Sequence, residues 1–182
     1  MKIAAAITLL SVLGAINSET FAQASLIVLA RHAEKAAPTG DVGLSPAGVE
    51  RAGELARAVA GVRFSSIITT QYQRTRLTAA PVAGASGVTP TVMTTSGDVR
   101  ADAAAIARAI DSLPAGAAVL VIGHSNTLGP IIAALGGPRI PDLCDGEYSR
   151  LLILERPQGG PVNLVQASYG AGDPPRSDEC AE

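Results

Sequence analysis

Two uninterrupted apolar runs, Leu26 to Ala30 and Ala118 to Ile122, constrain the fold more than any other feature of this chain. A strand that is apolar at every position has no face to offer water, so it must be covered on both sides. Helices above and below a parallel sheet supply that cover. The rest of the sequence carries the matching signals. Ser45 followed by Pro46 predicts an N-cap and a first helical turn, and the Ala, Val, Leu and Arg spacing continues through Ala60 to a stop near Gly61. Ser66 to Thr70 reads as a second strand, Arg74 to Ala83 as a helix with Pro81 near its end, and Thr91 to Thr94 as a weaker third strand. Asp98 caps a predicted helix over Val99 to Leu113, and Thr127 to Leu135 reads as a fourth helix. Leu151 to Glu155 and Val162 to Ser168 close the pattern as late strands, and the segment from Gly170 onward reads as loop or tail. The expected architecture is α/β, a three-layer α/β/α sandwich with a mostly parallel central sheet.

The residues before Leu26 have a different character. Lys2 gives a positive start, Ile3 to Ser18 carry no charge, and Ala22 and Ala24 stand in the A-x-A spacing of a cleavage site. This predicts a secretory signal peptide over residues 1–24, cut after Ala22 or Ala24, followed by one domain over residues 25–182. The uncharged run is shorter than the roughly 20 residues that a spanning helix needs, so no stable membrane insertion is expected after cleavage. Export would place the mature chain in the periplasm or outside the cell, where pairing of Cys144 with Cys180 is favoured over two free thiols. With 47% hydrophobic and 16% charged residues the domain can bury a core. A net charge of -2 argues against nucleic acid as a partner, because displacing counterions from phosphates needs a basic excess. Any anion site must therefore be local.

Such a site is suggested by the polar residues that end the strands. The chain holds two histidines, and each directly follows an apolar run: Arg31-His32 closes the first, Gly123-His124 the second. In open α/β sheets, ligands bind outside the carboxyl ends of the strands, so both imidazoles can face one crevice. The end of the second strand leads through Gln71, Tyr72 and Gln73 to Arg74. Two guanidinium forks and two imidazoles converging there would suit a tetrahedral oxyanion.

Four stretches resemble, in order, the motifs of the histidine phosphatase superfamily, which includes phosphoglycerate-mutase-like enzymes. They are Leu29-Ala30-Arg31-His32-Ala33-Glu34-Lys35, Leu44-Ser45-Pro46-Ala47-Gly48, Gln73-Arg74-Thr75-Arg76-Leu77-Thr78-Ala79 and Gly123-His124-Ser125-Asn126-Thr127. The resemblance implies a phosphoglycerate-mutase-like fold and a phosphomonoester hydrolase in which His32 is the nucleophile and becomes phosphorylated. It also implies that Arg31, Arg74 and His124 complete the phosphate pocket; Ser125 and Asn126 read as lining that pocket or capping the next helix. No metal and no other cofactor is required, and the expected partner is a small-molecule or protein phosphoester. The chemistry agrees: a neutral imidazole can attack phosphorus in line while fixed cations stabilise charge on the equatorial oxygens.

The acid that would protonate the leaving oxygen has no clear bearer. Many family members place a glutamate between the second arginine motif and the second histidine, whereas residues 77–117 here contain no Glu. Asp98, after the third strand, is the better candidate, although a plain N-cap role would also account for it. Glu34 is the second candidate; orienting Arg31 or pairing with Lys35 would equally explain it. Asp102 and Asp111 read as solvated helix positions, and Tyr148 as a packing residue in the loop entering a late strand. Small phosphohistidine phosphatases of this family also lack the usual glutamate. Short loops leave no room for a lid, so the pocket is expected to be open.

Two other readings compete. Gly123-His124-Ser125-Asn126-Thr127 nearly spells the G-x-S-x-G elbow of serine hydrolases, but the last position is Thr127 and no histidine follows His124. The stronger rival is a non-catalytic or weakly active exported domain that keeps the pocket only to bind a phosphorylated ligand.

Overall fold

The computed structural model describes residues 24–175. The expected signal peptide, apart from Ala24, lies outside the described residues, and so does Cys180, the expected partner of Cys144. In chain order the elements are β1 (Leu26–Arg31), α1 (Pro46–Ala58), β2 (Ser66–Thr70), α2 (Gln73–Ser86), β3 (Thr91–Met93), α3 (Val99–Asp111), β4 (Ala118–Gly123), α4 (Leu128–Ala134), β5 (Arg150–Glu155) and β6 (Asn163–Ser168). They build one six-stranded sheet in the order β3-β2-β4-β1-β5-β6. The first four strands are mutually parallel, while β5 runs antiparallel to β1 and β6 antiparallel to β5.

The two apolar runs lie at the centre, β1 beside β4, and successive residues of each face opposite layers. Ile27, Leu29, Val119 and Val121 pack with Ile106, Ile110, Ile131 and Ile132 of α3 and α4. Val28, Ala30, Leu120 and Ile122 pack on the other side with Leu55 of α1 and Val82 of α2. This two-sided burial is why neither run shows a polar alternation. Ala24 is fully buried in the α3/α4 layer, so the fold begins no later than this residue.

Pro81 sits well inside α2 instead of near its end. A proline removes one helical hydrogen bond, and here that leaves the carbonyl of Leu77 without its donor on an exposed stretch. The helix continues because Thr78, Ala79 and Val82 are held in the core, and it stops at Gly87, which takes the left-handed conformation (φ 71°). The segment after Gly170 is also more than a tail: the carbonyls of Tyr169 and Ala171 accept from Arg51, and Asp173 accepts from the backbone of Tyr148 and Ser149.

Gly48 marks where α1 meets the segment after β1. Ser45 caps the helix by accepting from Gly48 N–H, and Ser45 N–H donates to the Glu34 carbonyl. A Cβ at Gly48 would run into that carbonyl oxygen, a clash with backbone that no rotamer change relieves. Gly48→Ala is therefore expected to destabilise the domain by about 2 kcal/mol or more, read as a lowered denaturation midpoint at unchanged m-value.

Candidate active site

The register of the central strands brings the two histidines together. Arg31 of β1 pairs with Gly123 of β4, and His32 N–H donates to the Gly123 carbonyl at 2.9 Å. His32 and His124 thus leave adjacent strand ends, with ring centroids 5.3 Å apart. From there β1 leads to α1 on one face of the sheet and β4 to α4 on the other, which opens a crevice between them. A cavity of about 420 Å³ occupies it, lined by Arg31, His32, Arg74, His124, Ser125 and Asn126, six of the residues expected from sequence.

His32 is 4% exposed, and its Nδ1 lies 2.8 Å from the carbonyl of its own neighbour Ala33. A carbonyl only accepts, so Nδ1 carries the proton and Nε2 keeps its lone pair. The Ala33 peptide is fixed in turn, its N–H donating to Thr78 Oγ1 at 2.9 Å while Thr78 donates to the Arg74 carbonyl at 2.7 Å. His124 Nε2 sits 3.1 Å from Thr70 Oγ1, which is 2.9 Å from Thr75 Oγ1; both threonines are buried. Arg31 Nη1 donates to the carbonyls of Cys144, Asp145 and Glu147 at 2.6, 2.9 and 3.1 Å.

A family model described as histidine phosphatase superfamily (branch 1) matches residues 27–95, which hold Arg31, His32 and Arg74. Over those residues the chain is similar to the histidine phosphatase superfamily. Solved structures share its fold. The protein histidine phosphatase SixA complexed with tungstate superposes with a TM-score of 0.62 at 19% identity, over 79% of this chain and 96% of that one. A mycobacterial glucosyl-3-phosphoglycerate phosphatase gives 0.60 at 16% identity, over 81% and 99%. A SixA protein from Agrobacterium tumefaciens, described as a putative phosphohistidine phosphatase, gives 0.57 at 21% identity, over 81% and 98%. A comparison with curated proteins yields no match.

The acid candidates fall elsewhere than expected. Asp98 is exposed and caps α3, its Oδ1 accepting from Arg100 and Ala101 N–H at 2.9 and 3.1 Å. Gly97 and Val99 on either side line the cavity, but Asp98 does not. Glu34 is held by neither Arg31 nor Lys35. Its Oε1 lies 2.8 Å from both Nε and Nη2 of Arg51 on α1, a partner 17 residues along the chain and buried beneath Tyr169 and Ala171. The carboxylates that do line the cavity are Asp102 and Asp145. Hydrogen bonds from the Ser96 backbone and hydroxyl hold the Asp102 carboxyl below its ordinary range, which keeps it ionised. Asp145 is exposed and lies 3.6 Å from Arg31 Nη2.

The imidazoles are shifted strongly. Burial, then the charges of Arg74 and Arg31, lower His124 to about 4. Burial lowers His32 to about 3, opposed by the Ala33 hydrogen bond and aided by His124, Arg31 and Arg74. Both rings are therefore neutral near pH 7 when the site is empty. Sequence reasoning missed Thr70, Thr75 and Thr78 as supports, and it took Tyr148 for packing, although its ring lies 4.2 Å from the Arg31 guanidinium. For the threonines the one available signal was their clustering, as Thr70, Thr75 and Thr78, around Arg74.

Proposed function

We propose that this protein is a metal-independent phosphomonoesterase that works through a phosphohistidine at His32. The single observation that carries this reading is the tautomer fixed by Ala33, which gives a buried neutral imidazole a free Nε2 between Arg31, Arg74 and His124. Nε2 attacks phosphorus, the bond to the leaving oxygen breaks with its electron pair, and a P–N bond forms. Arg31, Arg74 and His124 hold the equatorial oxygens. Water then attacks the phosphohistidine, releasing inorganic phosphate and restoring the imidazole. The protein histidine phosphatase SixA and the glucosyl-3-phosphoglycerate phosphatase that share the fold support phosphoesters of small molecules or proteins as substrates.

The leaving group is one that departs with little help. Asp102 is held ionised, Asp98 caps α3 off the cavity, Glu34 pairs with Arg51 and Asp145 faces Arg31, so in this proposal the leaving oxygen draws its proton from solvent. A nucleophile that is neutral down to about pH 3 supports acid-phosphatase-like behaviour, with activity retained at pH 4–6. Phosphate release from p-nitrophenyl phosphate and from glycerol phosphate, both in EDTA, tests the reading. The aryl ester is expected to turn over at least about tenfold faster, since its leaving group needs no proton. Loss of activity in EDTA would overturn metal independence. Phosphate binding with no turnover would instead favour the exported phospholigand-binding domain, with the lack of an acid as its cause.

Export by a signal peptide, to the periplasm or beyond, belongs to the same reading, and the burial of Ala24 favours cleavage after Ala22 over cleavage after Ala24. Cys144, bridged to Cys180 in this proposal, would fasten the loop whose carbonyls hold Arg31.

A further inference from the structure

Each guanidinium of the pocket lies on a tyrosine. Arg31 Cζ is 4.2 Å from the centroid of the Tyr148 ring, and Arg74 Cζ is 4.2 Å from that of Tyr72. The two pairs look equivalent, but their remaining partners are not. Arg31 is fixed by the three loop carbonyls and faces Asp145. Arg74 has no comparable hold: among the described residues no carboxylate or carbonyl accepts from its guanidinium, and its Nε, like that of Arg31, is buried without a partner. A guanidinium is normally aimed by the oxygens around it. Among the described residues, the π face of Tyr72 is the contact that steadies it.

Tyr72 also touches the second imidazole. Its ring meets His124 edge to face, with centroids 5.4 Å apart and planes at 87°, and it lines the same cavity. The local backbone makes this possible. Residues i and i+2 do not face each other on a helix, but Tyr72 is the extended N-cap of α2 (φ -72°, ψ 140°), so its ring can lie against Arg74. We propose that Tyr72 is a positioning residue that orients Arg74, and through it the phosphate, while Tyr148 plays no equal part for Arg31.

The inference rests on the phosphate-binding half of the proposed function. Its test compares Tyr72→Leu, Tyr72→Phe and Tyr148→Leu by calorimetric binding of inorganic phosphate, by kcat and KM on p-nitrophenyl phosphate, and by thermal melting. Tyr72→Leu is expected to weaken phosphate at least about tenfold, with an unshifted melt, by leaving an uncompensated Arg74 free to swing. Tyr72→Phe keeps the ring face and is expected to stay within about twofold of the parent. Tyr148→Leu, with Arg31 still held by three carbonyls, is expected to stay within about threefold.

Parental phosphate affinity in Tyr72→Leu would overturn the proposal, and so would a Tyr72→Phe defect as large as that of Tyr72→Leu, which would assign the role to the hydroxyl. Equal losses in Tyr72→Leu and Tyr148→Leu would overturn the asymmetry. If Tyr72→Leu does not fold, Tyr72→Trp and Tyr72→Met replace it: the first keeps a π face and affinity, the second fills the space and loses affinity. A parent that binds no phosphate would refute the proposed function itself, which separates that failure from the others.

Discussion

His32→Ala is expected to lower phosphate release by at least about a thousandfold while leaving phosphate affinity within about tenfold of the parent. The split follows from the geometry. Arg31 is held by the 144–147 loop and Arg74 stands on Tyr72, so neither cation depends on the His32 ring for its place. Removing the ring deletes the atom that bonds to phosphorus and little of what binds the phosphate. Incubation with a phosphorylated substrate and rapid quenching should show protein-bound phosphate in the parent, labile in acid and stable in alkali, and none in the variant. Turnover retained by His32→Ala would remove the nucleophile from its assigned place. The same variant has a stability signature. Because His32 falls from 6.5 to about 3 in the folded protein, the unfolded chain binds more protons throughout that interval. The parent therefore loses stability from this group as pH drops from about 6.5 to about 3, and none above that window. His32→Ala should flatten that part of the profile, measured as denaturation midpoints between pH 7 and pH 4.

Much of this architecture could be read from the chain because the central strands advertise themselves. Leu26 to Ala30 and Ala118 to Ile122 are buried on both faces, and residues that end such strands in basic and imidazole groups have one crevice to occupy. What stayed hidden has a common physical character. Arg31 is held by backbone carbonyls more than a hundred residues away, and a carbonyl leaves no mark on sequence. The Glu34 to Arg51 pair depends on the close approach of α1 at Gly48, a tertiary fact that lets a distant partner displace the neighbouring Lys35. Asp98, expected as the acid with an N-cap as the alternative, caps α3 through Oδ1 and lies off the cavity wall. Asp102 read as a solvated helix position, yet the turn at Ser96 carries it to the cavity wall.

His124 supports the second large effect. Its replacement by Ala is expected to lower kcat on p-nitrophenyl phosphate by about 10²–10³, the usual loss when one donor to a developing oxyanion is removed. His124→Gln retains an amide near Thr70 and is expected to recover part of that loss. The distinguishing measurement is protonic. In the empty site burial and the two arginines hold His124 at about 4, so it is neutral at pH 5.5. A phosphate anion placed among Arg31, Arg74 and His124 cancels the cationic field and favours imidazolium, so its pKa must rise on binding. Linkage then requires proton uptake with the ligand. Phosphate titrations at pH 5.5 in two buffers of different ionisation enthalpy should show uptake of up to about one proton in the parent and markedly less in His124→Gln. As pH falls from about 6.5 towards 4, the empty site pays an increasing penalty for keeping this ring uncharged, while the phosphate complex accepts the proton. Phosphate should therefore raise the melting temperature more at pH 5 than at pH 8, by an increment that His124→Gln removes. Because phosphate itself titrates between these pH values in both proteins, the same pH dependence of the increment in the parent and in His124→Gln would mean that His124 stays neutral in the complex and serves as a hydrogen-bond donor alone.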